Sequence, residues 1–389
     1  MIGESRRAAP NEEELPRFRL TRGRLLATLV FVASALAFLY FVLPKLLGLN
    51  ETWNRIQHGN AWWLALAALL EVCSFGGYVW LFRGVFVRGE SRIGWPESYQ
   101  ITMASLAATR LFAAAGAGGI ALTAWALRRS GMAARTVGSR MISFLALLYG
   151  VYMVTLVVDG VGLYLGVIPG GGSFAITMVP AIFGAIVIVL FLGISLLPDD
   201  VGRLVGPWTH GRGRVARLAF RLAAASATAS SGVRTAIDLL RARDPSVFGA
   251  LAWWGFDIGV LITMLHAFGV GLPVPVVVLA YFLGTTLNLV PLPGSLSSGL
   301  AGALIALGAP VGGAIAAVLA YRALAVWLPA APGIASLASL RRSVAGWRKD
   351  RVVVAAPADA RSPYRSRTLS RRQYGFDIHQ LQGATNVAH

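Results

Sequence analysis

The sequence predicts an all-α, polytopic integral membrane helical bundle: six full spans plus two re-entrant broken-helix hairpins, arranged as an inverted repeat. Three observations carry this reading. Of 389 residues, 56% are hydrophobic and only 13% are charged, against about a quarter charged in soluble domains. Mean hydropathy is +0.65, and apolar runs of the roughly 18 residues needed to cross a bilayer recur along the chain. Two further apolar runs are interrupted by glycine and proline. This composition excludes a soluble enzyme and an intrinsically disordered chain.

Taken in order, residues 1–24 are polar with charges of both signs, so the first apolar run is expected to be a true span rather than a cleaved signal. Full spans are expected at 25–43, 61–82, 141–164, 174–196, 247–270 and 311–337. The run 99–127 is cut by Ala115-Gly116-Ala117-Gly118-Gly119, and the run 274–307 by Pro291-Leu292-Pro293-Gly294. Their arms of about 11–17 residues are short for a crossing at 1.5 Å per residue. Broken helices persist at membrane depth only where protein or an aqueous cavity satisfies the freed backbone groups, so both runs read as re-entrant hairpins. A basic connector is expected over 200–245, and a basic, disordered tail over 341–389.

Charge placement orients the chain. The balance of 35 basic and 17 acidic residues gives +18; in so apolar a chain it reports orientation and attraction to anionic head groups rather than nucleic-acid binding. Arg17, Arg19, Arg22 and Arg24 precede the first span; Arg83, Arg88 and Arg92 follow the second; Arg128, Arg129 and Arg135 follow the first hairpin. Arg203 through Arg243 fill the connector, and Arg341, Arg342, Arg348, Lys349 and Arg351 follow the last span. The loops 168–173, 271–275 and 308–310 carry no charge. Every basic cluster falls on one side, which predicts cytoplasmic termini and hairpins entering from opposite faces. Span, hairpin and span then occur twice in opposite orientation, and a site is expected near the midplane between the halves.

Ionisable groups at membrane depth are costly enough to suggest function. Glu71, Arg110, Asp257 and Arg322 are expected there, two acids and two bases that can pair, with Glu71 and Asp257 balancing charge or coupling motion. A half-helix begins after each break, near Gly119 and near Ser295–Ser298, and its free N–H groups suit an anionic head group. The candidate substrate-binding residues are Arg110, Gly116, Gly118, Gly119, Asn288, Pro293, Gly294, Ser295 and Arg322. His266 reads as a packed ring, and Asp159 lies toward the outer end of its span. No HExxH, GxSxG, Walker A or Cys/His metal spacing occurs. Cys73 stands alone, which excludes an internal disulfide. No catalytic residue, metal or cofactor is expected.

The stretch from Arg110 through Gly116, Gly118 and Gly119 to Arg128-Arg129 resembles the first signature of the lysylphosphatidylglycerol synthase transmembrane family, also described as flippase-like. Asn288-Leu289-Val290-Pro291-Leu292-Pro293-Gly294-Ser295-Leu296 resembles the second, followed by Leu307-Gly308-Ala309-Pro310 and Tyr321-Arg322 with Trp327-Leu328-Pro329. Trp253-Trp254-Gly255-Phe256-Asp257 through Phe268-Gly269 is similar to the family pattern as well. The resemblance covers about residues 25–340, making these a flippase-like transmembrane domain. It implies a bacterial cytoplasmic (inner) membrane location and a non-enzymatic lipid translocase moving a phospholipid or lipid-linked anionic intermediate. The alternatives are an intramembrane lipid-modifying enzyme and an accessory partner of a separate lipid synthase. The implied partners are membrane lipids with an anionic phosphate, and either a second copy or a separately encoded synthase. The chain departs from the family pattern at Ile120, at Gly299–Leu300 and at Thr123. The first two replace acids that a cationic aminoacyl head group would favour.

Overall fold

The computed structural model describes residues 61–88, 92–111, 117–196, 214–287 and 295–355. The span expected at 25–43 lies outside them. Within them the fold is helical, with no strand. The helices are α1 (Ala61–Phe86), α2 (Trp95–Leu111), α3 (Ala117–Arg129), α4 (Ala134–Tyr164), α5 (Phe174–Ser195), α6 (Arg214–Arg241), α7 (Phe248–Ala267), α8 (Val274–Leu287), α9 (Ser295–Ala306) and α10 (Val311–Ala355). Five of the six expected spans are present as α1, α4, α5, α7 and α10, each long and apolar enough to cross a membrane.

The interrupted runs form two helical hairpins, α2–α3 and α8–α9, whose arms pack on each other. Their arms of 17, 13, 14 and 12 residues reach about 25, 20, 21 and 18 Å, short of a hydrocarbon core of about 30 Å. The first hairpin opens at the basic end of the bundle. There Arg140 donates to the Phe86 carbonyl at 2.7 Å, and Arg83 donates to Ser98 at 3.1 Å while lying 4.0 Å from the centre of the Trp95 ring. The second hairpin opens at the uncharged end. At that end Trp63 stacks on His266 at 5.6 Å, Tyr164 meets Phe174 at 5.7 Å, and Gly170 lies against Val276 at the start of α8.

The packing has the symmetry of an inverted repeat. Exchanging α1, α2, α3 and α4 with α7, α8, α9 and α10 maps α1–α7 onto itself, α2–α10 onto α8–α4, α3–α4 onto α9–α10, and α1–α4 onto α7–α10. The helix starts repeat at nearly constant spacing: Trp95 to Val274, Ala117 to Ser295 and Ala134 to Val311 are separated by 179, 178 and 177 residues. Helices α5 and α6 stand outside the repeat. Along α5, Val179, Ile182, Ile186, Val189 and Leu190 are exposed, as expected of a helix facing lipid tails.

Helix α6 crosses the basic end. Arg234 donates to the Ser195 carbonyl at 2.9 Å, Ser231 and Ser139 meet at 3.1 Å, and Asp244, just beyond the helix, pairs with Arg88 at 2.7 Å. The Asp244 carboxyl is held below its ordinary 3.8, chiefly by the Ser246 hydroxyl, with the Ser246 N–H and Arg88 adding to it. That contribution is in place at neutral pH and is lost as pH falls through the carboxylate range. Asp244→Asn is expected to cost less than about 1 kcal/mol at pH 7, a difference that should vanish in acid when thermal unfolding is followed across pH.

The tail differs from expectation. Helix α10 runs 45 residues, on through the basic segment to Ala355, so residue 341 is not a structural boundary. Leu340 and Trp347 are buried and Ser343 donates to Gln100 of α2 at 3.1 Å, so this stretch docks on the first hairpin.

Candidate functional site

Both hairpins are closed by small residues. In the first, Gly119 sits so close to α2 that a Cβ there would stand 2.6 Å from the Ser105 carbonyl oxygen and also strike the Thr109 hydroxyl. The hydroxyls of Ser105 and Thr123 meet at 2.8 Å across the same seam. The Thr123 hydroxyl thus ties the arms together. In the second hairpin a Cβ on Gly284 would stand 2.6 Å from Leu300 Cα. Close approach, not backbone freedom, demands glycine at both points.

Helix register places the two hairpin ends at one depth. Gly333 of α10 lies against Met103 and Ala107 of α2, which runs antiparallel to it; Tyr321 of α10 shares an acceptor with Tyr281 of α8, which runs parallel to it. Counting along each arm carries Leu111 and Leu287 to about the level of Trp327 on α10. Just beyond, Pro329 and Pro332 lie inside the helix. Proline has no N–H, so the carbonyls of Ala325 and Leu328 lose their helical donors. Helices α3 and α9 start at Ala117 and Ser295, close to the expected half-helix starts, so their unpaired first-turn N–H groups belong to this depth.

The predicted residues distribute as follows. Gly118 and Gly119 lie in the first turn of α3, and Arg110 and Ser295 have backbone positions in the last turn of α2 and at the start of α9. Gly116, Asn288, Pro293 and Gly294 lie outside the described residues. The repeat spacing of 178 residues nonetheless carries Arg110 onto Asn288 and Gly116 onto Gly294 in sequence. Arg322 is half-buried and, among the described residues, has no carboxylate partner; its guanidinium lies 5.8 Å from the centre of the Tyr321 ring. It stands within about 10 Å, along the axis, of the level of Arg110.

The expected pairing of acids with bases is not what surrounds Asp257. It is 4% exposed, and its Oδ2 accepts from the hydroxyls of Tyr281 and Tyr321, the latter at 2.8 Å. Uncharged donors occupy this oxygen without immobilising an arginine. Glu71 is fully buried on α1. The α1–α7 pair, registered by Ser74 donating to the Trp253 carbonyl at 2.9 Å and by Gly259 against Leu70, puts Glu71 level with Asp257. His266 is exposed rather than packed in the core: its ring stacks on Trp63 and its Nδ1 lies 2.8 Å from the Ile262 carbonyl, about 13 Å along α7 from Asp257. Asp159 is buried where α4 packs on α5.

Sequence reasoning missed the tyrosine donors and the hairpin hydroxyls. It also missed Tyr152, whose hydroxyl donates to the Phe282 carbonyl at 2.7 Å and meets Thr286, and Trp254, which donates to the Leu148 carbonyl at 2.7 Å. These bonds fix α8 and α7 on α4. No curated protein and no solved structure matches the chain. A family model does, over residues 25–333, from before the second expected span to just past the proline pair of α10, and so across both hairpins. The chain therefore belongs to the family of lysylphosphatidylglycerol synthase transmembrane regions.

Proposed function

We propose that this multi-pass membrane protein is a non-enzymatic lipid translocase, moving a phospholipid or lipid-linked intermediate with an anionic head group between the leaflets of a bacterial inner membrane. The observation that carries the reading is the pair of opposed hairpins whose ends reach one depth in the bundle. Each end brings the start of a half-helix, and two such starts concentrate N–H groups and positive dipole where a phosphate in transit needs both. Arg110 and Arg322 add full charge. Family membership supports a lipid-related role. The basic end is the cytoplasmic one in this reading, and both termini lie there.

Each hairpin opens toward one leaflet, so a head group entering from either side meets the same polar depth. Movement of the two halves relative to each other alternates which leaflet it reaches.

The test is lipid movement in vesicles reconstituted with the full chain, using labelled phospholipids and polyprenyl phosphates. Transfer above protein-free vesicles is expected for at least one anionic class. Arg322→Gln should slow it about 10-fold, the worth of one charge-assisted hydrogen bond. No transfer in any class would remove the basis for the proposal.

A further inference from the structure

Translocation as described leaves three buried acids, Glu71, Asp159 and Asp257, without a task. Asp257 lies mid-way along α7, with two tyrosine hydroxyls on Oδ2 and no partner for Oδ1 among the described residues. Its Oδ2 joins α7 to Tyr281 of α8 and Tyr321 of α10, so a change at this carboxyl group reaches three helices. A carboxyl group that is costly to bury at membrane depth marks a working group.

We infer that Asp257 is a proton-binding site that couples lipid movement to a proton gradient, an inference that rests on the translocation reading. A proton delivered from water forms an O–H bond at Oδ1, the free oxygen. The neutral carboxyl is a weaker acceptor than the carboxylate, so both tyrosine bonds slacken together. Tyr281 is the tie to the second hairpin and Tyr321 the tie to α10. Proton occupancy thus loosens that hairpin and α10 from α7, and release of the proton toward the opposite side tightens them again.

The ionisable groups on the surrounding helices fit this assignment. Glu71 stands level with Asp257 on α1. From α4, Tyr152 spends its hydroxyl on Phe282 and Thr286, and Tyr149 packs on Trp254 at 6.2 Å. From α8 and α10 come Tyr281 and Tyr321, with Arg322 beside the Tyr321 ring. A metal cation is the poorer occupant: the tyrosines point hydrogens at the carboxylate, and no group of three or more His, Cys, Asp or Glu comes together among the described residues.

The experiment uses the full chain in vesicles containing fluorescent phosphatidylglycerol, under pH gradients of either sign, under a sodium gradient, and with a protonophore. One sign of pH gradient is expected to accelerate lipid movement about 10-fold, the protonophore to abolish the acceleration, and sodium to do nothing. Asp257→Asn, neutral and of nearly the same shape, should keep gradient-free movement and lose the acceleration. If the asparagine variant does not fold, Tyr321→Phe, which lacks a single oxygen, should show a partial loss. Lipid movement in the native protein that ignores the pH gradient overturns the coupling and leaves translocation standing. An undiminished acceleration in Asp257→Asn overturns the assignment, as does a response to sodium alone. No lipid movement in any arm overturns translocation itself, and the coupling with it.

Discussion

Gly284→Val should break the second hairpin. The new Cβ meets Leu300 Cα at 2.6 Å and its backbone nitrogen at 2.8 Å, and backbone cannot turn aside as a side chain can. Valine adds two methyls to a seam already closed. Overpacking a tight core costs about 1–3 kcal/mol, and a backbone collision belongs at the top of that range. The loss should not stay local, because Phe282, two residues away, supplies the carbonyl that Tyr152 of α4 uses. Thermal unfolding in detergent should show a lower midpoint, and proteolysis should find α8–α9 first. Gly119→Val is the matched experiment on the other hairpin, where the Ser105 carbonyl stands in the way. A native-like midpoint for both variants would mean the arms do not close as described.

The second large effect is a rescue. Removing both tyrosine hydroxyls, by Tyr281→Phe with Tyr321→Phe, leaves a carboxylate buried at 4% exposure without its two donors. Each hydrogen bond to a buried carboxylate contributes about 1.5–3 kcal/mol, so losing both should cost several kcal/mol. Adding Asp257→Asn to the double variant removes the charge and should return most of that loss. Three unfolding midpoints measured side by side decide it. If the triple variant is no more stable than the double one, the tyrosines serve the fold by packing alone. The sign of the change is the informative part, since removing a third polar partner from a purely structural cluster should destabilise further.

Much of this architecture was legible because the bilayer imposes length. A run of apolar residues long enough to cross is a span, and a run broken by glycine or proline into short arms has to turn back. The helix starts at Ala117 and Ser295 fall close to where the breaks foretold them. What stayed hidden is instructive in each case. Tyr281 and Tyr321 sit in apolar stretches, where a hydropathy count treats a phenol as bulk and overlooks its hydroxyl. Asp257 was therefore matched in expectation with an arginine, the partner that charge alone suggests. Ser105, Thr109 and Thr123 act across a hairpin whose register no local pattern reveals. The extension of α10 did have a signal: Leu340, Val344 and Trp347 recur at helical spacing, but five basic residues among and just after them hid it. Of the candidate site, the sequence marked the glycine breaks and the charges, while the depth at which the hairpin ends coincide needed coordinates.

The long last helix ties the two halves to one fate. Near one end it is held by Tyr321 to the aspartate that also holds the second hairpin; toward the other, Gly333 and Ser343 fasten it to the first. Between these anchorages sit Pro329 and Pro332, where the rod is weakest in bending. In the proposed translocation, flexion at this point lets the two hairpins shift relative to each other at the depth where their ends meet.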